Sequence, residues 1–270
     1  MFIGVRGHDF GRMEIETLAR FLHDQGYEAA QIAPWKAFTG IEGVNDITPE
    51  KRERIRASFA AQQVRIPVLG CYVGLGYPDA VFRGEAVDRL KKCLAYSKEM
   101  GAEVVGTETS YARPDPEQKK AWFPYMLDSV QRVVEEAQRL DATLAIEPVC
   151  THVLDSIDAV LQVMETVQDE RHLRMIFDAV NVLEPDNIGN QPAHWTKWLK
   201  YTGKYICALH VKDFMLKDDD SYEPVPLGTG LMEYEVISKW LHENGRDLCL
   251  LREEQIPEYA RQDMRFLRSL

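Results

Sequence analysis

Three carboxylates and one histidine stand at the ends of short apolar runs in the second half of this chain. Glu147 follows Leu144-Ala145-Ile146, and Asp178 follows Met175-Ile176-Phe177. His210 follows Ala208-Leu209, and a Glu253-Glu254 pair comes one residue after Leu250-Leu251. Apolar runs of this length, bounded by polar residues, read as buried strands. If those strands are parallel neighbours, all four positions share one rim of a sheet or barrel. Carboxylates that converge in a low-dielectric mouth repel one another. A divalent cation resolves that repulsion, and a set of one imidazole and three carboxylates suits Mn²⁺, Mg²⁺, Co²⁺ or Zn²⁺. Each residue also has a plainer reading. Asp178 could cap a following helix. His210 could be a satisfied core histidine before a solvated Lys212-Asp213 turn, and Glu253-Glu254 a solvated pair beside Arg252. Glu147 is followed by Pro148 and is harder to explain as a cap. Four such groups at successive strand ends fit one site better than four separate accidents.

The elements that must position these groups alternate along the whole chain. Strands are expected at 2–7, 28–32, 66–72, 103–107, 143–146, 174–177, 206–210 and 248–251. Between them, Ile15, Leu18, Ala19 and Leu22 recur at helical spacing before Gly26, and Thr48-Pro49 opens a helix that runs to about Gln63. Val87, Leu90 and Leu94 mark the next helix, and Asp115-Pro116-Glu117-Gln118 reads as a capped start for another that carries Trp122 to Leu140. Further helical stripes contain Met164, Trp198 and Trp240. No linker, repeat or low-complexity stretch interrupts this order. Eight strand–helix pairs in 270 residues predict one (β/α)₈ TIM barrel spanning 1–270, with an open doubly wound sheet as the alternative. The strand ends of the first half add His8, Asp9, Trp35, Lys36, Tyr72 and Glu108 to the rim.

Composition narrows the partners. The net charge is −11, so a phosphate backbone is disfavoured as a ligand and no nucleic-acid role is expected. The five cysteines, Cys71, Cys93, Cys150, Cys207 and Cys249, form no CxxC pair, which implies a reducing compartment rather than a disulfide framework. No basic and apolar leader precedes the first strand, and no run approaches the ~18 apolar residues of a membrane span. A cytoplasmic, soluble protein is expected.

Several stretches together resemble the xylose isomerase-like TIM barrels, and among them the sugar phosphate isomerase/epimerase group. They are Thr143-Leu-Ala-Ile-Glu147-Pro, Met175-Ile-Phe-Asp178-Ala-Val-Asn181, Leu209-His210-Val-Lys-Asp213, Gly228-Thr-Gly230 and Leu251-Arg-Glu253-Glu. The resemblance also runs through Val68-Leu-Gly-Cys-Tyr72 and Val105-Gly-Thr-Glu-Thr109. It implies one divalent metal, Mn²⁺ by preference, held by Glu147, Asp178, His210 and the strand-eight glutamate. Within the family that glutamate follows the apolar run after one intervening residue, which favours Glu253, with Glu254 as the alternative. Glu147 and Glu253 would then also act as acid and base on a small sugar or polyol, through a cis-enediolate. His8, Tyr72, Glu108, Asn181 and Lys212 are the candidate substrate contacts. Lys212 would meet an oxyanion, while Glu108 suits sugar hydroxyls and disfavours a nearby phosphate. Asn181 departs from the family, which often carries histidine there, so the substrate can differ from that of the ketose 3-epimerases. Two other functions are compatible with these residues. One is a metal-dependent dehydratase of a keto-inositol or sugar acid, with Lys212 or His8 as acid, and the other is a non-catalytic sugar-binding barrel. A homo-oligomer is compatible with the sequence.

Overall fold

The structure is a computed structural model and describes residues 1–270 except Tyr111, Asp220 and Arg246. Eight parallel strands form its centre: β1 (Phe2–Arg6), β2 (Ala29–Gln31), β3 (Ile66–Gly70), β4 (Ala102–Thr107), β5 (Leu144–Ile146), β6 (Leu173–Asp178), β7 (Ile206–Val211) and, after a hairpin, β10 (Cys249–Arg252). Their order is β2-β1-β10-β7-β6-β5-β4-β3. Parallel bridges Ala29–Arg65 and Ile32–Leu69 join β2 to β3 and close the ring. The chain therefore folds as a (β/α)₈ barrel rather than an open sheet.

The helices lie outside the ring, as the apolar stripes require. The main ones are α1 (Ile15–Gln25), α3 (Pro49–Ala61), α4 (Ala80–Ser97), α5 (Pro116–Leu140), α6 (Ile157–Val167), α7 (Gln191–Thr202), α8 (Glu235–Asn244) and α9 (Ala260–Leu267); a one-turn α2 (Pro34–Ala37) follows β2. Their starts are written locally. Asp79 caps α4 by accepting from the Val81 and Phe82 amides, and Asp115 caps α5 in a reciprocal box with Gln118. Gly26 ends α1 with φ 89°, a left-handed conformation that costs glycine little.

Two apolar layers result. The larger packs the outer strand faces against the helices. The smaller fills the barrel with side chains of modest size: Ala29, Val68, Val104, Ala145, Ile176, Ala208, Cys249 and Leu251. Gly106 also faces inward, where a Cβ would come within 2.6 Å of Val68 and 2.8 Å of Ile176. Because successive side chains alternate across a strand, this layer fixes what stands above it. Two residues beyond it, at or just past the strand ends, lie Arg6, Gln31, Glu108, Glu147, Asp178, His210 and Glu253, and on β3 Tyr72 stands four residues beyond Val68. Asp178 pairs in register with His210, and His210 with Leu251, so these ends stay level.

The strands start and stop within two residues of the expected limits. One element was not expected, an antiparallel hairpin of β8 (Phe214–Leu216) and β9 (Tyr222–Pro224) between β7 and α8. Asp213, for which the sequence offers only a solvated turn, is buried and organises this excursion. Its Oδ1 accepts from the Phe214 and Met232 amides at 2.9 and 3.1 Å, and its Oδ2 accepts from the Gly228 and Gly230 amides, both at 2.9 Å. A Cβ on Gly230 would lie 2.3 Å from Asp213 Oδ1, so only glycine lets this backbone close on the carboxylate.

Candidate active site

The C-terminal rim opens into a cavity of about 700 Å³ whose wall includes Tyr72, Glu108, Asn181, Lys212 and Glu253. Beside the lining residues Lys212 and Glu253, ligand atoms of Glu147, Asp178 and His210 all lie within 4.8 Å of one another. Glu147 is 1% exposed, Asp178 0% and His210 2%. Three of their atoms are buried without a hydrogen-bond partner: Glu147 Oε2, Asp178 Oδ2 and His210 Nδ1. His210 Nδ1 lies 3.2 Å from Glu147 Oε2 and 4.0 Å from Asp178 Oδ2, and neither pair is aligned as a hydrogen bond. Buried polar atoms are rarely left in this state. Two carboxylate oxygens and an imidazole nitrogen aimed at one point fit a divalent cation.

The opposite edges of these groups are tied down. The Gln31 amide donates through Nε2 to Tyr72 Oη at 2.5 Å and to Glu253 Oε1 at 3.1 Å. That orientation leaves Oε1 to accept from His210 Nε2–H at 2.5 Å. The tautomer so selected presents Nδ1 as a lone pair, which is how an outer amide fixes a ligand imidazole. Asn181 donates to Glu147 Oε1 at 2.7 Å, and its backbone amide donates to Asp178 Oδ1 at 3.1 Å. The plainer reading of Asp178 therefore holds for one oxygen, which receives a turn amide, while the other faces the site.

Glu253 is placed differently. Its Oε1 is 3.5 Å from His210 Nδ1, so it borders the cluster. Yet Lys212 Nζ lies 3.2 Å and Arg6 3.3 Å from its Oε2. Burial alone would raise its pKa, but His210, Lys212 and Arg6 hold it well below the usual carboxylate range. Glu254 follows with φ 55°, a left-handed turn that takes it off the strand's alternation. Lys212 also reaches Asp178 Oδ2 at 3.0 Å and donates to Asn181 Oδ1 at 3.1 Å. Burial opposes its charge, but four carboxylates, Asp178, Glu253, Glu254 and Glu147, hold the ammonium far above the ordinary lysine range. Burial likewise opposes charge on His210, but Glu253, Glu147 and Asp178 push its pKa up to about 9.

The remaining candidates spread around the rim. Tyr72 and His8 reach the cavity, as does Lys36, whose Nζ lies 5.9 Å from the Tyr72 ring. Burial and the charges of Arg6 and Lys36 push His8 down to about 4, so it is a neutral imidazole. Asp9 serves the wall indirectly, accepting from Arg6 Nε at 2.6 Å and the Gln255 amide at 2.8 Å. Trp35 packs against the outer core instead of the cavity. Glu108 directly follows β4, four strands around the ring from Glu253, with its pKa raised to about 8 by burial and by Glu147 and Glu253.

Sequence reasoning missed Arg6, Gln31 and His152. The first two obey the same alternation as the carboxylates, counted two residues past Gly4 and Ala29. His152 lies on the loop after β5, where no periodic signal exists.

Residues 19–270 match the xylose isomerase-like TIM barrel family. No curated protein matches the chain in sequence. Among solved structures, a D-tagatose 3-epimerase-like protein superposes with TM-score 0.78 at 18% identity, covering 99% of this chain and 96% of that one. The zinc-bound IolI protein gives 0.76 at 14%, over 99% and 95%. The 3-keto-D-glucoside 4-epimerase YcjR from E. coli gives 0.75 at 15%, over the whole of both chains. At these identities the structural likeness establishes the fold, and the match over most of the length establishes the family. The chain belongs to the xylose isomerase-like TIM barrel family.

Proposed function

We propose that this protein is a divalent-metal-dependent sugar isomerase or epimerase. The observation that carries the reading is the convergence of Glu147 Oε2, Asp178 Oδ2 and His210 Nδ1, buried and without hydrogen bonds, with Asp178 Oδ2 meeting the Lys212 ammonium, beneath a polar cavity bordered by Glu253. Glu147, Asp178 and His210 would hold the ion, with Glu253 as the fourth ligand. Mn²⁺ suits the hard, carboxylate-rich set, and Mg²⁺, Co²⁺ and Zn²⁺ are within its range. When bound, the ion supplies a Lewis acid beside a substrate carbonyl and makes the neighbouring C–H more acidic.

The chain's own groups supply the rest. One of Glu147 and Glu253 takes the proton from carbon, and the other returns one to the enediolate. Glu147 keeps its orientation through the Asn181 amide. Lys212 is shared between Asp178 and Glu253 and can turn its ammonium toward the developing oxyanion at little cost, because two other charges face Glu253. Such positioned acid–base groups contribute typically ~10²–10⁴-fold each. Neutral His8, Tyr72 and Asn181 offer hydrogen bonds to hydroxyls. A 3-keto-D-glucoside 4-epimerase and a D-tagatose 3-epimerase-like protein share this fold, and a small sugar is proposed as the substrate here.

The test is solvent-deuterium exchange into a panel of ketoses and keto-inositols with Mn²⁺ present. Exchange α to the carbonyl is expected, and it disappears in Glu147→Gln. Loss of water with a new chromophore would instead make the protein a lyase. A purified protein that binds no stoichiometric divalent ion and exchanges no proton would be a binding barrel, and the proposal would fall.

A further inference from the structure

We infer that Glu108 and His152 form a second acid–base pair, which delivers a proton to a substrate oxygen from the wall opposite Glu253. The inference rests on the function proposed above and adds a residue that touches substrate to it.

The geometry is specific. Glu108 stands two residues beyond Gly106 on β4, so the barrel's alternation turns it into the cavity. β4 lies four places from β10 in a ring of eight, so Glu108 and Glu253 face each other across the mouth. His152 is 7% exposed, lines the same cavity, and its Nδ1 is buried without a hydrogen-bond partner. That nitrogen lies 3.7 Å from Glu108 Oε2. The pair is held by backbone rather than by chance contact. The Leu154 amide donates to Thr109 Oγ1 at 3.3 Å, tying the His152 loop to the residue after Glu108. The His152 amide donates to Val149 O at 2.8 Å, which closes a tight turn within that loop.

The protonation states suit the role. Burial, Glu147 and Glu253 raise the Glu108 pKa to about 8, while Lys212 and His210 lower it less. Burial together with Lys119 and Arg113 pushes His152 down to about 4, against the pull of Glu147. Burial, the leading cause of both shifts, favours a carboxylic acid beside a neutral imidazole. Separations of this kind commonly tighten once substrate binds.

The step balances. As the base takes the proton from carbon, the C–H electron pair becomes the C=C bond of the enediol. The carbonyl π pair moves onto oxygen, which takes the Glu108 proton and leaves a carboxylate. In the second half Glu108 recovers a proton from a substrate hydroxyl as the C=C pair accepts one at carbon. His152 is a positioning residue: as the Nδ1–H tautomer of a neutral imidazole it donates to Glu108 Oε2 once the pair closes from 3.7 Å, which leaves the acid's O–H on Oε1 for the substrate.

The experiment uses the full-length Mn²⁺-loaded protein and the ketose with the highest exchange. Glu108→Gln is expected to lower kcat by ~10²-fold or more, with KM and metal content held within about threefold. Glu108→Asp is expected to recover about tenfold of that loss, and it carries the test if the Gln variant melts early. His152→Asn is expected to cost about tenfold in kcat alone, and almost nothing further when added to Glu108→Gln. A Glu108→Gln loss confined to KM would reduce Glu108 to a hydroxyl clamp and overturn the inference. So would kcat within about threefold of wild type, or loss of the metal. Absence of exchange in the wild-type protein would instead overturn the proposed function, and this inference with it.

Discussion

Arg252 and Glu253 are chain neighbours at the end of β10, and both are buried charges, yet they belong to opposite kinds of cluster. Arg252 donates through Nε to Asp263 Oδ2 at 2.7 Å, and both residues are fully buried. Asp263 Oδ2 also accepts from Gln255 Nε2 at 3.0 Å, and its Oδ1 accepts from the Leu227 amide at 2.8 Å. The guanidinium spends its other donors on the carbonyls of Val225, Val211 and Glu253. Every strong partner is found within the chain, and the result locks α9 and the loop near Gly228 onto the barrel. One residue further, alternation turns Glu253 to the inner face, among groups with three buried polar atoms that make no hydrogen bond. Burial and charge are common to both clusters. Satisfaction separates them, and it marks one as a fastening and the other as a site awaiting a ligand.

The largest effect should come from the fastening. Asp263→Asn leaves the Arg252 charge buried without its counter-ion, which typically costs ~3–5 kcal/mol. Asp178→Asn should cost far less in the metal-free protein, because it relieves repulsion among carboxylates while Lys212 keeps Glu253. Urea titration of both variants without metal measures the contrast, and equal losses would break it. The second effect reverses the ranking. Mn²⁺ at a hundred times its Kd should stabilise the wild type by ~2.7 kcal/mol. Asp263→Asn should retain that increment, and Asp178→Asn should lose it. Next comes Gln31, which joins the imidazole to Glu253. Gln31→Leu should weaken metal binding ~10–100-fold, the usual cost of removing an outer partner of a ligand. Competition against a fluorescent chelator reads this directly, and unchanged affinity would remove Gln31 from the site's machinery.

Much of this contrast is legible before any coordinates exist. Glu147, Asp178 and His210 announce themselves because an apolar run ends on them, and parallel strands bring such ends together. Gln31 hides because β2 is only three residues long and its alanines give little strand signal. Arg6 hides because the first strand reads on to Gly7. Counting by twos from the small inward layer finds both, but that layer is recognisable only once the ring is closed. His152 and Asp213 are a harder class. The role of His152 depends on a loop folded over β4, and that of Asp213 on amides fifteen to nineteen residues downstream. Contacts of that kind leave no period in the sequence. The β8–β9 hairpin escaped for the same reason, since its strands are three residues each and flank an acidic run.

The smallest prediction concerns a carboxylate satisfied like Asp263 but near water. Asp169 precedes β6, at the end of the barrel away from the cavity, with its side chain 17% exposed. Its Oδ1 accepts from the Arg171 and His172 amides at 3.1 and 3.0 Å, and its Oδ2 from Gln138 Nε2 at 2.8 Å and His172 Nδ1 at 2.7 Å. Desolvation works against ionisation, but Gln138 and His172 outweigh it and lower the pKa from 3.8 to about 2. A depressed carboxylate stabilises the fold above its unfolded pKa, and that contribution is lost as pH falls through the folded value. Solvent screening at this exposed end reduces the linked energy to about 1 kcal/mol. The stability difference between wild type and Asp169→Asn should therefore shrink by about 1 kcal/mol between pH 4.5 and 2. Other carboxylates titrate alike in both proteins and cancel in that difference. A gap that stays constant across the range would show that hydrogen bonding alone, without charge, holds this corner, and the contrast between clusters would then rest on donor count rather than on ionisation.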